Sequence, residues 1–212
     1  MRERPFRQQR QPAAAAAALA FLAAAAAAFG AAAAPLSVTV TDTDGKPLAE
    51  AVVYVIVKGL PAQGASATAQ IEQRDKQFVP RVSVVQTGTA VLFPNNDSVR
   101  HHVYSFSPAR TFDLKLYAGT PSQPVVFDKP GTAVLGCNVH DRMSAWVHVV
   151  DTPLFATTDA AGRATLDVPA GTHRLRAWHF MQPEPGLPVE QALPMHAGGS
   201  QAALKIKVLS GH

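Results

Sequence analysis

Thr132-Ala133-Val134-Leu135-Gly136-Cys137-Asn138-Val139-His140-Asp141-Arg142-Met143-Ser144-Ala145-Trp146-Val147-His148-Val149-Val150 reads as a strand, a tight loop and a second strand. Thr132–Gly136 and Ala145–Val150 are apolar and rich in β-branched residues, which favours extended structure. The loop between them holds the only cysteine of the chain and places Cys137, His140 and Met143 in the order C-x-x-H-x-x-M. A thiolate, an imidazole and a thioether are soft or borderline ligands, a set suited to copper cycling between its two common oxidation states. Such a site calls for a second imidazole from elsewhere. Asp97–Val103 offers His101 or His102, about 35 residues upstream. Adjacent strand residues point to opposite faces, so only one of the two can readily reach a given ion.

Working outward, the chain alternates short strands with turn signals and predicts an all-β architecture. Val38 and Val40 alternate with Ser37, Thr39 and Thr41, the period of a half-buried strand. Ala51–Val57 is a continuous apolar run, and Gly59–Gly64 reads as a loop. Ala67–Ile71, Arg81–Val85, Thr89–Phe93, His102–Phe106 and Pro124–Phe127 are further strands. Gly88, Pro94-Asn95-Asn96-Asp97 and Asp128-Lys129-Pro130-Gly131 separate them. Arg110–Ala118 is the one segment expected to form a short helical turn. Strands return at Ala164–Val168, Arg174–Ala177 and Leu204–Val208, while Gln182–Ser200, rich in Pro and Gly, is expected to be a long surface loop. Turns at this spacing between short alternating strands argue for antiparallel sandwich architecture.

Residues 1–33 have the order of a secretory signal peptide: Arg2, Arg4, Arg7 and Arg10, then an Ala-rich apolar stretch with Leu19, Phe21 and Leu22, then small residues before Pro35. The expected location is therefore periplasmic, with no membrane attachment after cleavage. That leader carries most of the formal charge of +4, leaving the remainder near +1. The basicity thus gives no reason to expect nucleic acid, and no basic patch interleaved with aromatics stands out. In an oxidising compartment a lone cysteine is either intermolecular or reactive. Holding copper as a thiolate is a third fate. Asp42, Asp44 and Gly45 lack the later Glu of a calcium loop and read as a turn.

Gln86–Val150 resembles the cupredoxins, the plastocyanin and amicyanin relatives. The matching parts are Gly88-Thr89-Ala90-Val91-Leu92-Phe93-Pro94-Asn95-Asn96-Asp97, Arg100-His101-His102-Val103 and the Cys137 loop, whose spacing is similar to that of amicyanin. His102–Pro108 and Val150–Phe155 more closely resemble periplasmic proteins named as methylamine-utilisation or plastocyanin-like proteins, although no residue here reports methylamine chemistry. Val38–Val57, with Thr158–Arg163 and Val168–Gly171, resembles a transthyretin-like or carboxypeptidase-regulatory sandwich. The implied fold is a cupredoxin-type Greek-key β-sandwich joined to that second sandwich, which is split around it. The implied boundaries are 34–64 for its first strands, 65–151 for the copper domain and 152–212 for its remaining strands.

The resemblance implies a single mononuclear copper ion held by His101, Cys137 and His140, with Met143 as a weak axial ligand. Relatives read Pro-His-Asn-Val, which aligns His101 with the ligand and His102 with the Asn. Arg100 replaces that Pro, and a bond from His102 to the Asn138 carbonyl would restore the family's tie to the ligand loop. Asp141 and Arg142 stand where amicyanin-like loops are apolar. Four ligands leave no open position for a substrate, so the expected role is outer-sphere electron transfer to redox partner proteins, not catalysis. Two alternatives are a copper carrier without fast redox cycling and an interaction module with a vestigial site. Met181, Met195 and His196 would supply a second weak site only for the former, and their ordinary role is packing. His148, Trp146, His173, Trp178 and His179 are expected to pack as well. The oligomeric state leaves no mark in the sequence.

Overall fold

A computed structural model describes residues 33–60, 68–183 and 187–209, and among the described residues every regular element is a β-strand. The signal-peptide expectation falls almost wholly outside them. The strands are β1 (Ala33–Asp42), β2 (Val52–Ile56), β3 (Thr68–Gln70), β4 (Glu72–Arg74), β5 (Gln77–Val79), β6 (Val82–Gln86), β7 (Thr89–Leu92), β8 (His101–Ser107) and β9 (Arg110–Tyr117). They continue with β10 (Val125–Phe127), β11 (Gly131–Gly136), β12 (Ser144–Val150), β13 (Phe155–Thr157), β14 (Arg163–Pro169), β15 (Gly171–Trp178), β16 (Val189–Met195) and β17 (Ser200–Ile206).

The two ends of the described chain build one sandwich together. In one sheet β1 lies between β14, antiparallel, and β17, parallel; the facing sheet runs β13-β2-β15-β16. Alternation along β1 turns Ala34, Leu36, Val38 and Val40 inward, where they meet Val53 and Val55 of β2 and Leu175, Leu193, Leu204 and Ile206. The hydroxyl of Thr158 ties the halves at one edge. It donates to the Leu48 carbonyl at 2.6 Å and accepts from the Ala51 amide at 2.9 Å, both buried. At Gly162 (φ +69°) a Cβ would stand 2.4 Å from the Val40 carbonyl oxygen, so only glycine lets this turn close on β1.

Between those halves the chain forms a second sandwich. Its sheets are β6-β12-β11-β8-β9 and β10-β7-β3, with a small β4–β5 hairpin alongside. Val91, Phe93, Val103, Phe127, Leu135, Ala145 and Val147 fill its interior, and Cys137 and Met143 belong to the same buried cluster.

A third apolar layer joins the two. Along β12, Ala145, Val147 and Val149 face the interior just described, whereas Trp146 and Val150 face outward onto Val52, Tyr54 and Trp178. Along β2, Val53 and Val55 face one way and Val52, Tyr54 and Ile56 the other. Both strands are buried on both faces, which explains why Ala51–Val57 and Ala145–Val150 read as nearly continuous apolar runs and not as clean alternations.

Two expectations are overturned. Arg110–Tyr117 is strand β9, not a helical turn: Phe112 and Leu114 lean on the core while Thr111, Asp113 and Lys115 face water, a period of two that pairs with β8. The expected loop at 182–200 contains β16, with Leu193 and Met195 inward. β16 is the edge of its sheet, so Pro194 stands in register with Thr172 without costing a ladder bond on a second side. The β4–β5 hairpin was not anticipated. Its two linking residues, Asp75 and Lys76, both have positive φ, 54° and 58°, as a mirror-image two-residue turn requires.

Candidate metal centre

The ligand candidates sit at one end of the inner sandwich, where β8 begins and β11 ends. Gly136 pairs with Tyr104, so the residue after β11, Cys137, emerges beside the start of β8, where His101 stands. From there residues 137–143 loop over. The Met143 amide donates to the His140 carbonyl at 2.9 Å, a turn that brings the chain back into β12. The Tyr104 ring lies so close over Gly136 that a Cβ there would stand 2.7 Å from Cζ, which lets an aromatic ring cover the peptide leading to Cys137.

Three donor groups converge. The donor atoms of His101, Cys137 and His140 all lie within 4.8 Å of one another. His101 Nδ1 is 3.9 Å from Cys137 Sγ, and the His101 and His140 ring centroids are 5.0 Å apart, tilted by 59°. His101 is fully buried and Cys137 nearly so. His140 Nδ1 is buried without a hydrogen-bond partner among the described residues. A buried polar atom normally has a partner, and one left bare marks a place prepared for something else. Met143 is buried in the same cluster as Cys137, at the close of the loop.

The opposite nitrogen of His101 is held firmly. Its Nε2 meets Asp97 Oδ2 at 2.6 Å, which leaves Nδ1 facing the sulfur. Asp97 also accepts the backbone amides of Asp75 at 2.7 Å and Lys76 at 2.9 Å. Desolvation works against its charge, but the Lys76 amide, the His101 imidazole and the Asp75 amide outweigh it and hold the carboxyl below its ordinary range. Asn95 braces the same loop: its side-chain amide donates to the Val99 and Tyr117 carbonyls, and its oxygen accepts the Asp97 amide. Tyr117 lies deeper. Burial pushes its phenol up to about 12, so it stays protonated and donates to the Phe93 carbonyl at 2.6 Å.

His102 goes elsewhere. Its Nε2 bonds to the Asp113 carboxylate on β9, and its ring lies 5.3 Å from that of Tyr104. A bulge between His101 and Val103 in the β8–β9 pairing allows both histidines to be buried. The expected tie from His102 to the Asn138 carbonyl is not made; Asn138 is exposed, and the nearer acceptor is a carboxylate. Asp97, Asp113 and the hairpin turn are the residues that sequence reasoning missed. The spacing Asp97…His101 was the available signal. Only the folded chain shows that it joins a carboxylate to one ring nitrogen.

His148 has a structural role. His148 stacks on Trp178 with centroids 4.6 Å apart and bonds through Nδ1 to the Thr132 hydroxyl at 2.9 Å. Burial pushes it down to about 4, so it is neutral at pH 7. Met195 is buried in the outer sandwich.

A cysteine sulfur and two imidazole nitrogens gathered in one pocket, with the buried Met143 in the same cluster as the cysteine, fit a soft-to-borderline metal with a copper-like ligand preference. The pocket is set in a rigid strand framework, and Cys137 is shielded from solvent. No protein-family model matches the chain, and no curated protein is similar to it at a significant level. Among solved structures it is similar to a purple cupredoxin from Nitrosopumilus maritimus, at 22% identity over 39% of this chain and 99% of that one, TM-score 0.35. It is similar to a reduced Cu(I) form of an amicyanin variant, at 15% identity over 46% of this chain and 98% of that one, TM-score 0.36. It is also similar to a copper-containing nitrite reductase from Thermus scotoductus, at 21% identity over 45% of this chain and 25% of that one, TM-score 0.37. Such TM-scores decide nothing about chemistry, which rests on the side chains above. The described residues form an all-β protein, similar over part of its length to solved cupredoxins, whose inner sandwich gathers two histidines and a cysteine at one end.

Proposed function

We propose that this protein is a periplasmic mononuclear type-1 copper protein that acts as an outer-sphere electron carrier. His101, Cys137 and His140 are its strong ligands and Met143 its weak one. The supporting observation is the convergence of the His101, Cys137 and His140 donor atoms within 4.8 Å, with His140 Nδ1 buried and bare. Copper bound there would supply a one-electron couple. The chain contributes placement: Asp97 fixes the His101 ring, the His140–Met143 turn fixes the loop, and β11 and β12 anchor both its ends. Donors held this way need little rearrangement when the charge of the ion changes. The four donors leave no position for a substrate, and the partners in this reading are redox proteins of the same compartment.

The test is an optical and electron paramagnetic resonance spectrum of the protein loaded with oxidised copper. An intense visible sulfur-to-copper band, lost in Cys137→Ser and kept in His102→Ala, is the expected result. Colourless binding of reduced copper alone would replace the electron carrier with a copper carrier. Absence of stoichiometric copper would refute both.

A further inference from the structure

Two grooves share Met143 and Ser144 in their linings. One groove is lined by Tyr104, Phe106, Val134 and Cys137. The other, of about 360 Å³, runs along Lys76, Gln77, Phe78, Arg81 and Arg142, with Asp75 at its edge. Lys76, Arg81 and Arg142 are exposed, and none of the three is in an ion pair among the described residues. Elsewhere on this sandwich Arg74, Arg110 and Lys115 are each neutralised by a carboxylate. Arg81 is also pre-positioned, its guanidinium carbon 5.1 Å from the Trp146 ring centre and 4.4 Å from that of Phe180. Three cations against one carboxylate line a concave wall, which concentrates positive potential where it is best focused.

The groove lies close to the proposed ligands by two routes. Met143 is part of its lining. The peptide of Asp75 and Lys76, at its other end, donates both amides to Asp97, whose other contact is His101. A partner seated here would lie over the buried Met143 and one short hydrogen-bonded bridge away from His101.

We propose that this basic groove is the docking site for an acidic redox protein, whose carboxylates pair with Lys76, Arg81 and Arg142. This rests on the electron-carrier reading for its purpose, but not for its electrostatics. The occupant is a protein surface bearing clustered Asp and Glu, because three exposed cations without ion-pair partners among the described residues line this groove against one carboxylate.

Two measurements test it on the full chain, each with the triple variant Lys76→Gln, Arg81→Gln, Arg142→Gln. A control variant carries Lys46→Gln, Lys205→Gln, Lys207→Gln, which removes the same charge from the outer sandwich. In the first, copper-loaded reduced protein is mixed with hexacyanoferrate(III). One electron passes from the protein to the probe, giving oxidised protein and hexacyanoferrate(II), with no bond made and no proton moved. At an ionic strength of about 10 mM the groove variant is expected to react about tenfold more slowly, within the range of electrostatic steering, and the control no more than about twofold. With the cationic oxidant tris(phenanthroline)cobalt(III) the groove variant is expected to gain. Equal losses in both variants, or none in either, overturn the proposal.

The second measurement needs no copper. Apo protein is titrated with an acetylated hexaglutamate peptide and followed by NMR. Amide shifts confined to Lys76, Arg81, Arg142 and Met143, abolished in the groove variant, are the expected result. Shifts scattered over the surface, or unchanged in that variant, overturn the docking site. If copper loading gives no sulfur-to-copper band, the electron-carrier reading fails by itself, and this titration still decides the groove.

Discussion

Asp97→Asn is the perturbation that most directly tests how His101, the proposed ligand, is held. The carboxylate accepts three hydrogen bonds: Asp75 N on Oδ1, Lys76 N on Oδ2, and His101 Nε2 on Oδ2. An Asn that keeps its carbonyl oxygen in the place of Oδ2 still accepts the last two, but as neutral bonds, and the negative charge is gone. Hydrogen bonds to a charged group contribute about 1.5–3 kcal/mol against about 0.5–1.5 for neutral ones, so the exchange is worth about 1–1.5 kcal/mol. That is roughly tenfold in an equilibrium constant, at the lower end of the 10–100-fold loss of affinity typical when a metal ligand loses its outer partner. The sign for the reduction potential follows from charge. A carboxylate makes the imidazole a stronger donor, which favours the dication over the monocation. Its removal raises the potential. If the reduced state loses between none and half of the tenfold effect, the rise is about 30–60 mV, on the scale of 59 mV per decade for one electron.

Protein-film voltammetry and a copper competition titration read both quantities. Asp113→Asn is the paired control, because that carboxylate holds His102 and not His101. It is expected to leave the potential within about 10 mV on the same scale. A folded Asp97→Asn protein with an unshifted or lowered potential refutes the reasoning. So does an Asp113→Asn shift as large as that of Asp97→Asn, which would transfer the ligand role to His102.

Two further predictions concern the frame. Thr158→Val keeps the shape but strands the buried Ala51 amide and Leu48 carbonyl, at an expected cost of about 2–4 kcal/mol; urea denaturation checks this, and a loss under about 0.5 kcal/mol would show that the two halves do not depend on that hydroxyl. His148 titrates near 6.5 when unfolded and about 4 when folded, because burial disfavours its charge. Between those values the unfolded chain binds more protons, so stability is complete above pH 6.5 and falls as the pH drops toward 4. The loss is about 2 kcal/mol at pH 5 and about 3 at pH 4. Denaturation midpoints across that range should fall in the wild type and flatten in His148→Gln; parallel slopes would remove His148 from the account.

The sequence is most legible where chemistry and periodicity reinforce each other. The spacing of Cys137, His140 and Met143 located the loop before any fold was known; alternation located β1 and β14, and apolar β-branched runs located β11 and β12, to within a residue or a few. Arg110–Tyr117 carries a period of two that the helical reading passed over, Phe112, Leu114 and Leu116 against Thr111, Asp113 and Lys115, and its pairing with β8 decides the strand. Val189–Met195 failed because two prolines flank or enter it, and nothing local reveals that it lies at a sheet edge. The choice between His101 and His102 could not come from spacing alone. A bulge and two carboxylates, Asp97 on the loop before β8 and Asp113 on β9, give the two rings different partners, and these are tertiary facts. The β4–β5 turn is hidden for the same reason. Two non-glycine residues adopt positive φ there, and Asp97, more than twenty residues later, accepts both of their amides.

The split outer sandwich has a physical consequence for the loop it surrounds. β12 leaves that loop directly after Met143 and is then buried on both faces, by Val147 and Val149 within and by Trp146 and Val150 without. A strand with only one buried face keeps some freedom to shift in register or tilt; one gripped on both sides does not, since moving it would open cavities in two layers at once. The outer face is closed by Tyr54 and Trp178, which lie on strands from opposite sides of the insertion. Those strands can pair only when β2 and β15 have found each other across the whole inner sandwich. Completion of the outer sandwich is therefore the step that immobilises the far wall of the ligand loop. In an electron carrier that wall must stay fixed while the charge of the ion changes. Loosening the shared layer should thus broaden the distribution of metal geometries before it unfolds the site.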